Sequence, residues 1–386
     1  MRNTYVEIDT LAIKNNIINI KNTFKGYKYY IGVVKGNAYG HGFEIAKTME
    51  KSGINYFAVS NLDEAKELRK YVDSGIMLLN PLNIKFLDKC LEYNVDITIG
   101  NLDEFKKILN YDNKSKLKIQ IKLNTGMNRI GISSNEEIEY IIKECKKEEN
   151  PTVIGIYTHL ATSGFSDKLF DNQVDNFKKI TNNINLSDIE MIHMFRSNSI
   201  EYHKKLDFCN ACRLGLILYG YSQTFPFYGN SIKDKIRKFR LNQKRKKFNI
   251  SETYDKNQVK LFPAYKLKSE VIDLHYMEAN SFLGYGATYK SEKREKIAVI
   301  DIGYVDGLDQ RNTGRDVLIK GKKYKIVGTV NMCNITVLVD DNVEIGDEVI
   351  VIGDEISTKY IAKYTKTTPY VVISMITPFI ERRYRG

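Results

Sequence analysis

The sequence has few cysteines, and this shortage excludes one class of protein. Its five cysteines are Cys90, Cys145, Cys209, Cys212 and Cys333. An odd, scattered set in a chain of 386 residues argues against the disulfide framework of a small secreted domain. Cys209 and Cys212 form a CxxC pair, but the sequence offers no further ligands nearby at metal-site spacing. We therefore interpret both as free thiols and expect no metal site.

Long apolar runs are also missing. No stretch approaches the ~20 residues that a membrane-spanning helix needs. The opening segment, MRNTYVEIDT, turns acidic and polar before the apolar core of a signal peptide could form. These observations predict a cytoplasmic protein with no membrane partner.

Positive charge, in contrast, is abundant, and the formal net charge is +12. Nine of the fifteen residues 233–247 are Lys or Arg. A binding site for an anionic partner is one interpretation. No aromatic stacking pattern or recognised nucleic-acid motif accompanies the charge, and such runs are commonly solvated. We therefore interpret residues 231–260 as a basic connecting insertion and expect no nucleic-acid partner.

The order of predicted elements indicates an α/β fold followed by a mainly β region. Residues 1–220 alternate apolar, β-rich runs with segments of helical spacing, and capping patterns such as Asn61 followed by Glu64 mark the helix starts. An extra helix at Leu11–Phe24 precedes eight predicted strands: Tyr29–Lys35, Tyr56–Asn61, Gly75–Asn80, Val95–Gly100, Leu117–Asn124, Val153–His159, Met191–Arg196 and Arg213–Tyr219. This alternation predicts an N-terminal (β/α)₈ TIM-like barrel over residues 1–230.

From Pro263 onward the alternation of predicted strands and helices ends. Short runs are separated by Gly- or Asp-rich turns, and Thr358–Tyr364 is the main helical exception. The predicted strands are Lys266–Leu274, Lys296–Ile302, Asp316–Ile319, Thr336–Asp340 and Glu348–Ile352. A mainly β C-terminal domain over residues 261–386 follows from this pattern.

One segment carries an evident chemical signal. In Val33-Val34-Lys35-Gly36-Asn37-Ala38-Tyr39-Gly40-His41-Gly42, an apolar strand ends in a lysine and a glycine-rich turn follows. Chemistry in a barrel occurs where strands end, and a partly desolvated lysine favours the neutral, nucleophilic amine. An isolated lysine here would be interpreted as a strand-end residue extending its amine to water. The surrounding string favours a catalytic lysine.

This string resembles the cofactor-lysine signature of the alanine racemase family, pyridoxal-phosphate enzymes built as a barrel plus a β domain. The resemblance covers essentially the whole chain apart from the basic insertion. The matching strings stand in the family's order: 4–9, 122–131, 158–162, 198–199, 213–215, 218–220, 285–289 and 302–307. Their order and spacing are more specific than any one of them.

The resemblance implies pyridoxal 5'-phosphate as cofactor, bound by Lys35. It also implies a homodimer with shared active sites, in which two bases act on opposite faces: Lys35, and Tyr285 from the partner subunit. Arg213 would face the pyridine nitrogen, and a guanidinium keeps its proton, so that nitrogen would stay unprotonated. The other residues implied to bind the cofactor are Tyr39, His159, Asn198, Ser199, Gly215, Leu216 and Tyr304.

Arg129 and Met332 are implied to contact the substrate. Lys122 matches a family lysine that is often carbamylated, and an anionic lysine beside Arg129 would be favourable where two bare cations would repel. The sequence departs from the family at Cys333, which replaces an acidic residue, and at Leu214, which replaces a proline. The C-terminal segment 377–383 also lacks the tyrosine that many members place at the substrate entrance.

The expected function is interconversion of L- and D-alanine, supplying a D-amino acid for cell-wall peptidoglycan. The departures leave open a racemase of serine or another amino acid, and a non-catalytic pyridoxal-phosphate-binding relative is a further alternative. A decarboxylase of similar fold is disfavoured, because its glycine-run phosphate loop and cysteine–aspartate motif are missing. An interaction protein built on the basic segment is the least favoured interpretation.

Overall fold

The computed structural model describes residues 3–162, 167–222 and 259–386, together with six positions between 232 and 243. The interpretation of residues 231–260 as a connecting insertion lies almost wholly outside these ranges. The chain forms two compact units. One contains residues 13–35 and 46–262, and the other contains residues 1–12, 36–45 and 263–386.

The first unit is a closed barrel of eight parallel strands. In barrel order these strands are Tyr29–Val33, Tyr56–Val59, Gly75–Leu78, Val95–Ile99, Lys118–Leu123, Thr152–Thr158, Met191–Arg196 and Ala211–Leu214. The predicted barrel is therefore confirmed. The prediction was wrong about the end of the eighth strand, because Leu216–Tyr219 forms a 3₁₀ helix and not a continuation of the strand.

Helices connect the strands, and the predicted caps close them. Helices of the barrel sequence are Thr10–Thr23, Ile45–Lys51, Leu62–Arg69, Leu87–Glu92, Leu102–Ile108, Asn135–Cys145, Asp167–Ile180 and Ser197–Tyr202. The Asn101 side chain accepts a hydrogen bond from the Glu104 backbone N–H at 2.8 Å. The Glu104 carboxylate accepts one from the Gly100 N–H at 3.1 Å. These bonds satisfy backbone donors that the first helical turn leaves unpaired. Among the described residues, no helix is long and apolar enough to cross a membrane.

The interior of the barrel is unusually polar. Side chains on a strand alternate between two faces, and Ile119 and Ile121 on the fifth strand are fully buried beside inward-pointing Gln120 and Lys122. Barrels of this type are normally filled with branched apolar side chains. Here buried polar residues come from several strands: Asp96, Thr98, Gln120, Lys122, His193 and Arg213. These buried polar side chains need hydrogen-bond partners inside the barrel, because bulk water does not supply them there.

The second unit is built on one antiparallel-rich sheet. The strand order is Glu295–Ile300, Ile335–Val339, Lys322–Val327, Asp316–Ile319, Glu348–Ile352, Tyr265–Met277, Tyr5–Asp9 and Glu381–Arg385. Tyr265–Met277 also pairs with Glu295–Ile300, so six strands close into a ring. Smaller elements are the strands Phe282–Leu283 and Tyr289–Lys290 and the helices Thr358–Tyr364 and Pro369–Ser374. The predicted mainly β domain is confirmed, with Lys322–Val327 and Glu381–Arg385 as strands that the sequence did not indicate.

The boundaries of the units differ from the expected division at residues 230 and 261. Tyr5–Asp9 pairs antiparallel with Tyr265–Met277 and parallel with Glu381–Arg385. Both edges of this opening strand are thus hydrogen-bonded within the second unit. Residues 36–45 also belong to that unit, although Lys35 belongs to the barrel.

We expect the change of Asn101 to Ala to lower the free energy of unfolding by about 1 kcal/mol, because the Glu104 backbone N–H at the helix start loses its acceptor. Asn101→Asp should keep the stability near that of the wild type, since a carboxylate accepts the same bond. Urea unfolding followed by circular dichroism measures both. Equal losses in the two variants would contradict the capping role.

Candidate active site

The barrel residues singled out from the sequence lie at or beyond the carboxyl ends of its strands. Since all eight strands are parallel, these ends meet at one end of the barrel. Lys35 follows the first strand, and Arg129 follows the fifth. His159, Asn198, Ser199, Gly215 and Leu216 follow the sixth, seventh and eighth strands. An open depression of about 500 Å³ lies at this end, lined by Pro81, Gly100, Asn101, Asn124, Asn128, Arg129, Ile130 and Gly131.

Lys35 lies in surroundings that disfavour its charged form. Burial lowers the pKa of the amine, the nearby cations of Arg129 and Arg213 lower it further, and Glu64 partly opposes them. A lysine must be neutral to act as a nucleophile or a base, so this environment favours both roles.

The chain turns left-handed immediately after Lys35. Gly36, Asn37, Ala38 and Tyr39 have φ values of 64°, 52°, 53° and 53°. This conformation costs non-glycine residues about 1–2 kcal/mol each, so the surrounding structure must hold it. Backbone bonds within the turn contribute, among them the Gly40 N–H to Gly36 carbonyl bond at 3.0 Å.

Two glycines of the same motif permit close packing in the second unit. A Cβ atom on Gly40 would lie 2.3 Å from the Ile373 carbonyl oxygen. A Cβ atom on Gly42 would lie 2.1 Å from the Tyr384 hydroxyl oxygen. The glycine-rich character of the motif is therefore explained by backbone packing against the C-terminal segment.

Arg213 is buried inside the barrel, and most of its donors are used. Nη1 donates to His193 Nδ1 at 2.5 Å and to the His193 carbonyl at 3.0 Å. Nη2 donates to the Thr158 carbonyl at 2.7 Å and lies 3.5 Å from His159 Nδ1. Among the described residues, the Nε–H is the guanidinium donor that has no hydrogen-bond partner.

Lys122 and His159 share this positive environment. Burial, with Arg129, Arg213 and Lys35, lowers the pKa of Lys122 to about 8. Its Nζ donates to the Leu79 carbonyl at 3.0 Å. Burial, followed by Arg213 and three further cations, lowers the pKa of His159 to about 2. His159 is therefore neutral at physiological pH.

Four of the residues implied to bind the cofactor, Asn198, Ser199, Gly215 and Leu216, lie around the ends of the seventh and eighth strands. Ser199 is fully buried, and its hydroxyl accepts from the Arg196 N–H at 2.7 Å and donates to the Arg196 carbonyl at 2.9 Å. The Gly215 N–H donates to the Ser197 hydroxyl at 2.8 Å. Ser197, which the sequence analysis did not select, therefore accepts a hydrogen bond from the backbone N–H of Gly215, a residue that the resemblance implied as a cofactor ligand.

The remaining predicted residues lie in the second unit. The Tyr304 N–H donates to the Asn331 carbonyl at 2.9 Å, which places Tyr304 beside the loop that contains Met332. A Cβ atom on Gly303 would lie 2.3 Å from the Met332 carbonyl oxygen, so glycine permits this approach. The Tyr285 side chain is 79% exposed and that of Met332 is 55% exposed. Cys333, the departure from the family pattern, is also exposed.

Sequence reasoning missed the polar residues deeper in the barrel, notably Gln120, Tyr157 and His193. The Tyr157 ring stacks on His193 with a centroid distance of 4.7 Å, and Arg213 lies 5.1 Å from the same ring. A signal was present in the fifth strand, which alternates Lys118, Gln120 and Lys122 with isoleucines. Parallel barrel strands are normally apolar on both faces, so this alternation indicated a polar interior.

Comparison with known proteins gives matches over the whole described chain. The family described as "Alanine racemase, N-terminal domain" matches residues 8–223, and "Alanine racemase, C-terminal domain" matches residues 264–384. An alanine racemase of Clostridium perfringens is 33% identical over 401 aligned residues, covering 100% of this chain and 96% of the relative.

Solved structures agree with the sequence comparison. The alanine racemase of Clostridium difficile 630 superimposes with a TM-score of 0.85 at 30% identity, covering 99% of this chain and 95% of that one. The alanine racemase of Bacillus anthracis, solved with bound L-Ala-P, gives 0.85 at 29% identity, covering 100% of this chain and 96% of that one. With both family domains matched in order and relatives similar along their whole length, the chain belongs to the alanine racemase family.

Proposed function

We propose that this protein is a pyridoxal-phosphate-dependent racemase that interconverts L- and D-alanine. The observation that carries the proposal is Lys35, which follows the first barrel strand and has a lowered pKa. The string around it resembles the family's cofactor-lysine signature. Similarity along the full length to alanine racemases supports alanine as the substrate. The product D-alanine would serve cell-wall peptidoglycan.

The donor set of the barrel fits pyridoxal phosphate. When bound, this cofactor supplies an electron sink that acidifies the substrate's α-carbon. Lys35 would hold it through its neutral amine, and the Arg213 Nε–H is available to donate to the ring nitrogen. His159 would lie beside the ring. The phosphate would be held by Tyr39, Asn198, Ser199, Tyr304 and the Leu216 N–H, with Gly215 forming the turn.

Two groups would move the α-proton on opposite faces of the substrate. The Lys35 amine would act on one face, and the Tyr285 hydroxyl on the other. A tyrosine ordinarily ionises near pH ~10, so Tyr285 would need a cationic neighbourhood to act as a base. Arg129, at the open end of the barrel, would bind the substrate carboxylate, with Met332 beside the substrate.

A homodimer would bring these groups together. Tyr285 and Met332, both implied as active-site residues by the resemblance, are mostly exposed. Large exposed side chains that match a family's active-site strings are typical of a surface that contacts a partner. We infer that the second unit of each chain completes the barrel site of the other chain.

Lys122 fits carbamylation. Only a neutral amine reacts with carbon dioxide. With a pKa of about 8, half of the Lys122 amines are neutral when the pH is about 8. The carbamate is an anion, so it would replace the repulsion between Lys122 and Arg129 with attraction.

The change of Lys35 to Ala should remove the borohydride-reducible cofactor adduct and lower racemisation by more than about 10³-fold, because both the anchor and one base are lost. Lys122→Met, at a neighbouring buried lysine, should keep the adduct. Peptide mass analysis after borohydride reduction measures the adduct, and an assay over alanine, serine, lysine and arginine measures the reaction. Persistence of the adduct in the Lys35 variant would exclude the assignment, and a preference for another amino acid would exclude alanine as the main substrate.

A mixture of two inactive variants, Lys35→Ala and Tyr285→Phe, should recover about a quarter of wild-type activity after subunit exchange. Random pairing gives half mixed dimers, and each of these has one intact and one doubly altered site. The measurement is the racemisation rate before and after exchange, with each variant alone as control. No recovery despite demonstrated exchange would contradict the shared site.

Lys122 should show a carbamate signal in ¹³C NMR when the protein is equilibrated with ¹³C-bicarbonate. The signal should strengthen as the pH rises toward about 8, since the neutral amine then accumulates. Lys122→Met should remove it. Lys118→Met, four residues earlier on the same strand but exposed, should leave it unchanged. A signal that remains in the Lys122 variant would assign the carbamate elsewhere.

A further inference from the structure

The proposed function uses Arg213 but does not explain what holds this buried cation. No acidic side chain among the described residues forms an ion pair with it. Burying an unpaired charge is costly unless hydrogen bonds compensate for the lost water. The partners of Arg213 therefore need partners of their own, and those lie deeper in the barrel.

A continuous chain of hydrogen bonds runs from Arg213 across the barrel interior. His193 accepts from Arg213 at Nδ1, and its Nε2 lies 3.3 Å from Gln120 Oε1. Gln120 Nε2 donates to Asp96 Oδ2 at 3.1 Å, and the Tyr56 hydroxyl donates to the same carboxylate. The side chains come from the eighth, seventh, fifth, fourth and second strands, and all except Tyr56 are buried.

The two end groups, a guanidinium and a carboxylate, determine which atom donates in each hydrogen bond of this series. A guanidinium can only donate, so His193 Nδ1 must accept and the ring proton must be on Nε2. That proton donates to the Gln120 carbonyl, and the Gln120 amide donates to Asp96. Burial and Arg213 lower the pKa of His193 well below its usual range, so it is neutral, as this arrangement requires.

The sixth strand leaves space for the hydrogen bond between Gln120 and His193. It lies between the strands that carry Gln120 and His193, and Gly155 is the residue paired with Gln120. A Cβ atom on Gly155 would lie 2.1 Å from Gln120 Oε1. Any other residue at this position would therefore displace the amide from its route to His193.

We propose that Gln120 and Asp96 are positioning residues for Arg213: through His193 they hold its guanidinium so that the Nε–H stays directed to the cofactor ring. Hydrogen bonds in a buried chain polarise one another, so each link strengthens the acceptor at His193 Nδ1. The effect on the cofactor rests on the proposed function, whereas the effect on His193 does not.

A pair of single variants and their combination test this chain. Asp96→Asn removes the terminal carboxylate, and Gln120→Glu places two carboxylates side by side. Each should weaken pyridoxal-phosphate binding by about tenfold, measured by equilibrium dialysis of the full-length protein. The double variant moves the carboxylate one link closer to His193 and restores the donor direction, so its affinity should return to within about threefold of wild type.

The cofactor-free protein provides a second readout. With ¹⁵N-labelled histidine, His193 should show a protonated Nε2 and an unprotonated Nδ1, assigned with His193→Phe. Gln120→Met keeps the length of the side chain and removes both bonds, so it should shift the Nε2 resonance. Thr98→Val is the matched control, because it removes the buried 2.9 Å contact between the Thr98 and Tyr157 hydroxyls and leaves the chain intact.

Thermal unfolding of every variant separates these effects from loss of fold. Unchanged cofactor affinity and an unchanged His193 spectrum in the Asp96 and Gln120 variants would overturn the proposal. So would a double variant that binds no better than the weaker single one, since the loss would then come from packing. If the wild-type protein bound no cofactor at Lys35, the proposed function would fail. The His193 spectra would still decide whether the hydrogen bonds from Arg213 through His193 and Gln120 to Asp96 form.

Discussion

A guanidinium buried in the middle of a parallel barrel is the feature on which much of the first unit depends. Arg213 cannot lose its charge at physiological pH, and the residue is almost completely shielded from water. Its neighbours therefore supply carbonyls from the sixth and seventh strands and imidazole nitrogens from His193 and His159. This requirement explains why polar side chains replace the branched apolar layers that such barrels normally contain.

The same cation affects its neighbours electrostatically. Lys35, Lys122 and His159 all have lowered pKa values, and in each case burial is the largest cause and Arg213 contributes. A cluster of like charges is unfavourable for folding, and such conflicts are expected where a site is shaped for chemistry. A positive pocket of this kind suits ligands that carry phosphate and carboxylate groups.

Much of the fold could be predicted because the local signals were strong. Seven of the eight barrel strands begin and end within two residues of their predicted limits, since apolar runs and capping residues delimit them. The eighth failed because 216–219 is as apolar as a strand, although Gly215 begins a tight 3₁₀ helix there. Periodicity does not distinguish a short buried helix from a buried strand.

For the candidate site too, the sequence determined some features and the tertiary structure decided others. From the sequence alone, the order of the matching strings indicated the family, the alternation of strands and helices indicated the barrel, and the string around Lys35 selected the residue that we propose as the cofactor lysine. Only the tertiary structure decided that residues 5–9 belong to the second sheet, that Ser197 occupies the Gly215 N–H, and that Gln120 connects His193 to Asp96. These pairings join residues up to 376 positions apart, as with Tyr5 and Glu381. Such distant partners leave no local periodicity, because closure of the barrel and the sheet brings them together.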